Sequence, residues 1–330
     1  MTRWGCTALQ YKTLKPLNLK KMHPTDDTGA ALVMTALFLT VLLGFSALVI
    51  DIGLLYINRL ALVNAVDAAA LAGVQDLPYS PTMAIESAKQ YATTNGADKN
   101  GLSVLVQNGD HEVKVTASKN VELYLARLFG ITNQKVTASA TAQVGSISAY
   151  VGVAPFGVVK QDFIYGEQYL LKYGPHSNPG RYHGNFGALA LGGKGANHYR
   201  ENIKHGHQAR LAVGDWVDTE PGNIAGPTAE GVKYRVDECQ HYPKCTWDKF
   251  VPGCSRLVVV PVIRTLEEAH GRDSVEIVGF AAFFLEGTIG GGNNGKGSDS
   301  AVVGRFLRTV LPGELGDAGD YGLKGYKLVN

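Results

Sequence analysis

The sequence lacks a surplus of either charge. Its 31 Lys and Arg against 29 Asp and Glu leave a net charge of +2, and the pI is near 8.2. No basic stripe or RNA-binding motif is present, so no nucleic-acid partner is expected. The usual signatures of catalysis are missing as well. There is no G-x-S-x-G nucleophile elbow, no H-E-x-x-H helix and no paired C-x-x-C of a zinc ribbon. Cysteine is scarce, with Cys6 near the start and Cys239, Cys245 and Cys254 late in the chain. These absences predict a protein that is not an enzyme and carries no cofactor. Charge is also missing from one long stretch, residues 28–50, which read TGAALVMTALFLTVLLGFSALVI.

That stretch is the strongest signal in the chain. At 1.5 Å per residue it spans roughly 34 Å as a helix, enough for a hydrocarbon core of about 30 Å. A helix satisfies every backbone amide internally, which lipid demands. A cleaved secretory signal has an apolar core of about 7–15 residues, and this run is longer and continues in helical pattern. The expectation is a single-pass anchor helix over 29–57. Arg3, Lys12, Lys15, Lys20 and Lys21 precede it and only Arg59 follows closely. The positive-inside rule therefore places the N-terminus in the cytoplasm and the C-terminal domains outside it. A start at Met22 is the alternative, and it would remove those charges together with Cys6.

From Gly29 onward the residues fall in a characteristic order. A Gly-Ala start leads into an apolar run containing Leu42, Leu43, Gly44 and Phe45. D-x-G-x-x-Y follows at Asp51, Gly53 and Tyr56. Asn64 then leads to Asp67 and the alanines up to Ala72. Over about 45 residues this resembles the N-terminal region of TadE/TadG-like proteins of Flp (tight-adherence) pilus assembly. The resemblance implies an envelope role among other anchored assembly subunits, with no defined reaction. It departs from the prepilin pattern at Met34, where a processed pseudopilin has Glu, and no D-x-S-x-S metal motif is present. Within the resemblance, Asp51 and the alanine face can contact another subunit, or Asp51 can simply be solvated at the membrane surface.

The fold class expected is α+β. A tail over 1–28 and the anchor precede an Ala-rich helix with a small α+β unit over 58–148, and a β-rich domain fills 149–330. Alanines 61, 65, 68, 69, 70 and 72 favour a helix to about Gly73, ended before Pro78 and Pro81. A helix over 82–94, strands over 102–106 and 112–117, a helix over 121–129 capped by Gly130, and a strand over 135–144 follow.

After Val151 glycine, proline and aromatics rise, helical periods disappear, and turn clusters at 175–180 and 222–227 separate apolar segments. The 40 glycines, about 12% of the chain against a usual level of about 7%, fall mostly there. The block 184–232 resembles a segment of Firmicutes-type TadG-like proteins, and its GDWV and EPGN read as tight turns. His176, His183, His198, His205 and His207 lie nearby without ligand spacing. GGGNNGKG over 290–297 imitates a phosphate loop but lacks the Ser or Thr that holds magnesium.

Cys239, Cys245 and Cys254 admit a disulfide outside the cytoplasm, as Cys245–Cys254 or Cys239–Cys254, or a zinc site with His241 in a reducing compartment. The missing C-x-x-C spacing favours the disulfide. The leading function is a non-enzymatic, membrane-anchored component of a Tad-type pilus. One alternative is a tethered module binding wall glycan or a host surface through Tyr165, Tyr169, Tyr173, Tyr182 and Trp216. A more remote one is an extracytoplasmic hydrolase using the His/Cys region, a Cys254–His241 nucleophile pair included.

Overall fold

A computed structural model describes residues 27–172, 187–266, 273–289 and 301–329. Cys6, His176, His183, Tyr173, Tyr182, the turn cluster at 175–180 and the phosphate-loop look-alike at 290–297 lie outside the described residues.

The expected α+β class holds: a long apolar helix leads into a β-rich region. Helix α1 runs Asp27–Asp76 without a break, because no proline interrupts it and its alanines cost little backbone order. It ends in turns before Pro81, which opens α2 (Pro81–Thr94) under the Ser80 N-cap. Ser80 Oγ accepts the Met83 amide at 3.3 Å. Proline in the first turn removes an N–H that has no helical partner anyway.

Strands β1 (Leu102–Gln107), β2 (Glu112–Glu122) and β3 (Asn133–Tyr150) follow. Then come β4 (Val158–Val159), β5 (Gln168–Leu170), α3 (Ala196–His205), β6 (Leu211–Ala212), β7 (Trp216–Asp218) and α4 (Ala225–Asp237). The chain closes with β8 (Leu257–Ile263), β9 (Ser274–Ile289), β10 (Ala301–Leu307), β11 (Thr309–Val310), β12 (Glu314–Leu315) and β13 (Leu323–Val329). One sheet has the order β1-β2-β3-β13-β11, with β6 and β12 also on β3. A second has the order β4-β8-β9-β10-β5, with β7 on β9.

The chain divides into two compact units. Of the described residues, the smaller comprises 27–56 and 122–134, and the larger the remainder from 57 on. In the larger unit, α1 and α2 meet through small residues. Ala84, Ala88 and Ala92 of α2 are buried, as are Ala65, Val66, Ala69, Ala70 and Val74 of α1. The Cβ that Gly73 lacks would sit 2.6 Å from the Ala84 carbonyl oxygen, so glycine sets this distance. The central strands β8, β9 and β10 are covered on both faces. Val258, Val260 and Val262 point with Phe283 and Phe306 toward Tyr199 of α3 and Val232 of α4. Val259 and Ile263 point with Phe280 toward Ile147 of β3 and Leu323 of β13. Burial on both faces explains the near-continuous apolar reading of these strands.

Two expectations change. Instead of a helix over 121–129, β2 extends to Glu122 and a single 3-10 turn, Ala126–Phe129, stops at Gly130 with φ +83°. Val121 and Leu123 are buried on alternate positions, which is strand periodicity. In the C-terminal half, helices α3 (Ala196–His205) and α4 (Ala225–Asp237) stand where a β-rich stretch with tight turns is expected. The GP at 226–227 lies inside the first turn of α4. GDWV and EPGN do turn, at Gly214 (φ +91°) and Gly222 (φ +87°).

Candidate functional site

Within the smaller unit, every residue from 29 to 50 is exposed except the half-buried Ala47. Leu32 is 73% and Leu43 70% exposed. The helix is long and apolar enough to cross a bilayer, with an 18-residue window of mean hydropathy 2.5. It is apolar on all sides, so no single face is reserved for a protein core. Its polar side chains are satisfied within the helix. The hydroxyls of Thr35, Thr40 and Ser46 donate to the carbonyls of Ala31, Ala36 and Leu42 at 2.8, 2.8 and 2.9 Å. Such internal bonding removes most of the cost of placing them in lipid.

Asp51 marks the end of the uncharged run, and its partners are backbone amides. The carboxylate is only 5% exposed. Its Oδ1 accepts the amide of Tyr124 at 3.0 Å. Its Oδ2 accepts those of Leu125 and Ala126 at 3.1 and 2.6 Å. These three N–H groups stand at the entrance to the 3-10 turn, where an anion is favoured. Asp51 therefore clasps the 122–134 segment to the helix. It is buried rather than freely solvated.

The clasped segment is itself apolar and exposed: Tyr124 68%, Leu128 82%, Phe129 84% and Ile131 50%. Between it and the helix lies an open apolar groove of about 490 Å³, lined by Val41, Gly44, Phe45, Leu48, Leu125 and Phe129 among others. Gly29, Gly44 and Gly53 have no atom near the place of a Cβ. Tyr56 and Asn64 are exposed and Asp67 is half-buried. On the alanine face Ala65, Ala69 and Ala70 are buried, and Gly73 just beyond them abuts Ala84 and Ala88 of α2. Asp76, one helical turn beyond it, accepts the Ser87 hydroxyl at 2.5 Å.

The late cysteines lie in the connection from α4 to β8. Cys239, Cys245 and Cys254 stand here as free thiols, all buried. Cys254 Sγ stands 3.5 Å from Cys239 Sγ, against about 2.05 Å for an S–S bond. His241 Nδ1 lies 3.7 Å from Cys239 Sγ and 3.5 Å from Cys245 Sγ. Burial, with the neighbouring thiols, pushes the Cys254 thiol well up. For Cys239 burial acts upward too, but hydrogen bonds led by His241 outweigh it and bring the thiol down.

Among the described residues, His198, His205 and His207 do not join this group. His205 pairs with Glu201 at 3.7 Å and stacks edge-on against Tyr234. His198 lies against Gly193 and His207 against Gly192, and burial lowers the His207 pKa.

Of the described aromatic candidates, Tyr165, Tyr169 and Trp216 lie in different surroundings. Tyr169 packs edge-on against Phe163 and Phe306 at the core. Trp216 is 67% exposed and lines a separate cleft of about 260 Å³ with Arg264 and Glu276. Tyr165 carries the Arg308 guanidinium 4.7 Å from its ring centre. These two residues and Asp320 line both of two clefts, of about 330 and 450 Å³.

Two family models match the chain. Residues 29–76 match TadE/G-like Flp pilus assembly, and residues 58–142 match Tad-like Flp pilus assembly. No curated protein matches the sequence, and no solved structure matches the fold. The matched stretch covers α1, α2, β1, β2, the Asp51 clasp and the first part of β3. Across it, the resemblance read from Gly29 to Gly73 holds, and residues 29–142 are similar to Tad-type Flp pilus-assembly proteins.

Proposed function

We propose that this pilus-assembly component is held in the cytoplasmic membrane by residues 29–50, acts without catalysis, and presents residues 58–330 outside the cytoplasm to other subunits of the Tad system. The observation that carries the reading is an exposed helix, apolar on all sides, inside the region that matches the Tad family models. Fully burying a single leucine-sized side chain is worth about 1.5–3 kcal/mol. A run of such side chains has no aqueous state that competes with lipid. The apolar 124–131 segment, clasped at Asp51, extends the lipid-facing surface beside the helix exit, and its aromatics suit a membrane interface. The basic residues before the run set the orientation.

The division into an anchor, a unit over 58–148 and a β-rich domain over 149–330 belongs to the same proposal. The test is a deletion strain. Pili and surface attachment should be lost, and restored by the full chain but not by one carrying Leu39→Arg and Leu43→Arg in the anchor. Normal pili in the deletion strain would overturn the reading.

A second reading, a tethered binding module, draws on the clefts shared by Tyr165, Arg308 and Asp320. It predicts that Tyr165→Ala abolishes retention of the full chain on wall glycan while the pili remain intact.

A further inference from the structure

Three thiols and one imidazole meet in the connection 238–256, which has neither helix nor strand over its whole length. A connection this long without regular structure needs something to hold it. Part of the holding is visible. Ser255 Oγ donates to the Arg235 carbonyl at 2.7 Å, Arg235 Nη1 donates to the Ser255 carbonyl at 3.0 Å, and Arg256 Nη1 donates to the Cys245 carbonyl at 2.8 Å. These bonds pin the C-terminal end of the loop and one point near its middle.

The ligand atoms of Cys239, His241, Cys245 and Cys254 all lie within 4.8 Å of one another. For zinc, bond lengths of about 2.3 Å to sulfur and about 2.0–2.1 Å to nitrogen fix the edges of a tetrahedron. They come to about 3.8 Å for S···S and about 3.5 Å for S···N. The contacts measured are 3.5 Å between Cys239 and Cys254, 3.7 Å from Cys239 to His241 and 3.5 Å from Cys245 to His241. A disulfide would draw two sulfurs to about 2.05 Å and leave the third without a role. A merely apolar burial of cysteines gives no reason for an imidazole nitrogen to face two sulfurs at once.

The surroundings fit a closed structural site. The three cysteines are each 2% exposed and pack with Phe284 and Leu307, with Phe250 and Leu257 against them. Four protein ligands complete a tetrahedron and leave no open position for substrate. Three soft thiolates with one imidazole select zinc over the hard cations.

We propose that Cys239, His241, Cys245 and Cys254 bind one Zn²⁺ ion as a Cys₃His site that fixes the α4–β8 connection onto the β9–β10 face. Binding replaces three S–H bonds by Zn–S bonds and releases those three protons to solvent. Coordination also withholds the thiolates from oxidation, which reconciles free cysteines with a place outside the cytoplasm. The site does not depend on membrane anchoring or on pilus assembly, so its test is separate from theirs.

The full chain, purified in detergent without chelator, should carry about one zinc ion per chain by elemental mass spectrometry. Cys245→Ser and His241→Ala should lose most of it, while Cys6→Ser retains it. Chelator-stripped wild-type chain reloaded with Co²⁺ should show the intense visible bands of tetrahedral cobalt with sulfur-to-metal charge transfer. This readout stands even if the variants fail to fold. Absence of stoichiometric zinc together with a weak octahedral cobalt spectrum would overturn the site. So would a Cys239–Cys254 or Cys245–Cys254 disulfide in a non-reduced peptide map.

Discussion

Removing the Asp51 carboxylate tests how the 122–134 segment is held. In Asp51→Ala three backbone donors lose an ionised acceptor at 2.6–3.1 Å. A charge-assisted hydrogen bond contributes about 1.5–3 kcal/mol. Three full contributions overstate the loss, because the segment can open and let water take the amides. The cost is therefore capped by the free energy of that local opening. A loss of about 2–4 kcal/mol is expected, a 30- to 700-fold rise in the opening constant, since about 1.4 kcal/mol is tenfold. Hydrogen exchange of the full chain in lipid nanodiscs reads it directly at residues 124–126, with amides in β9 as an internal control. Asp51→Asn should give an intermediate effect, because its amide oxygen accepts bonds without charge. Unchanged exchange at 124–126 in Asp51→Ala, within about threefold, would refute the clasp.

Other consequences are equally specific. Gly73→Ala places a Cβ 2.6 Å from the Ala84 carbonyl oxygen and 2.9 Å from Ala88 Cβ. Overpacking costs about 1–3 kcal/mol and outweighs the helix-propensity gain of about 1 kcal/mol, so thermal unfolding should show net destabilisation; a rise in Tm would contradict the close contact. Glu286 pairs with Arg305 at 2.7 Å. Burial raises its pKa, but bonds to Arg305 and Gln168 outweigh this and hold it below its ordinary value. A carboxylate depressed on folding contributes stability above its unfolded pKa, and loses it as pH falls through the folded value. Glu286→Gln should therefore flatten the fall of Tm below about pH 5, and an unaltered slope would contradict the pairing. A fluorophore at Phe129 should be quenched by lipid-borne quenchers, whereas one at Tyr242, on the α4–β8 connection, should not; equal quenching would remove the segment from the interface.

Much of this fold is legible in the sequence because local signals agree. Residues 28–50 have no charge, the alanines continue the helix, and Pro81 begins the next one. β8 and β10 are near-continuous apolar runs, which is what burial on both faces demands. The misread places have physical causes. Residues 121–129 are apolar enough for a helix, but Val121 and Leu123 alternate into the core, and Tyr124, Leu128 and Phe129 are exposed.

Helix α4 is hidden by its glycines. A Cβ at Gly231 would come 2.7 Å from Ile203 Cβ, so a residue that reads as a turn is the contact that lets α3 and α4 approach. Pro227 falls in the first helical turn, where its missing N–H costs nothing. Cys239, His241, Cys245 and Cys254 stand out in the sequence, but their C-x-H-x₃-C-x₈-C spacing matches no paired zinc motif, so the sequence alone favours a disulfide. Only the folded loop brings His241 between two sulfurs. Asp51 was legible as a motif position, but its partners are 73 to 75 residues away in the chain, beyond any local pattern.

The central claim is that one apolar helix keeps the chain in the bilayer and places the rest outside. The most direct measurement is alkaline carbonate extraction of membranes followed by protease treatment of intact spheroplasts, with antibodies to each end. The account predicts that the full chain stays with the membrane pellet and that its C-terminal domain is digested from outside. Release into the supernatant, or a C-terminal domain protected in intact spheroplasts and cleaved only after lysis, would contradict it.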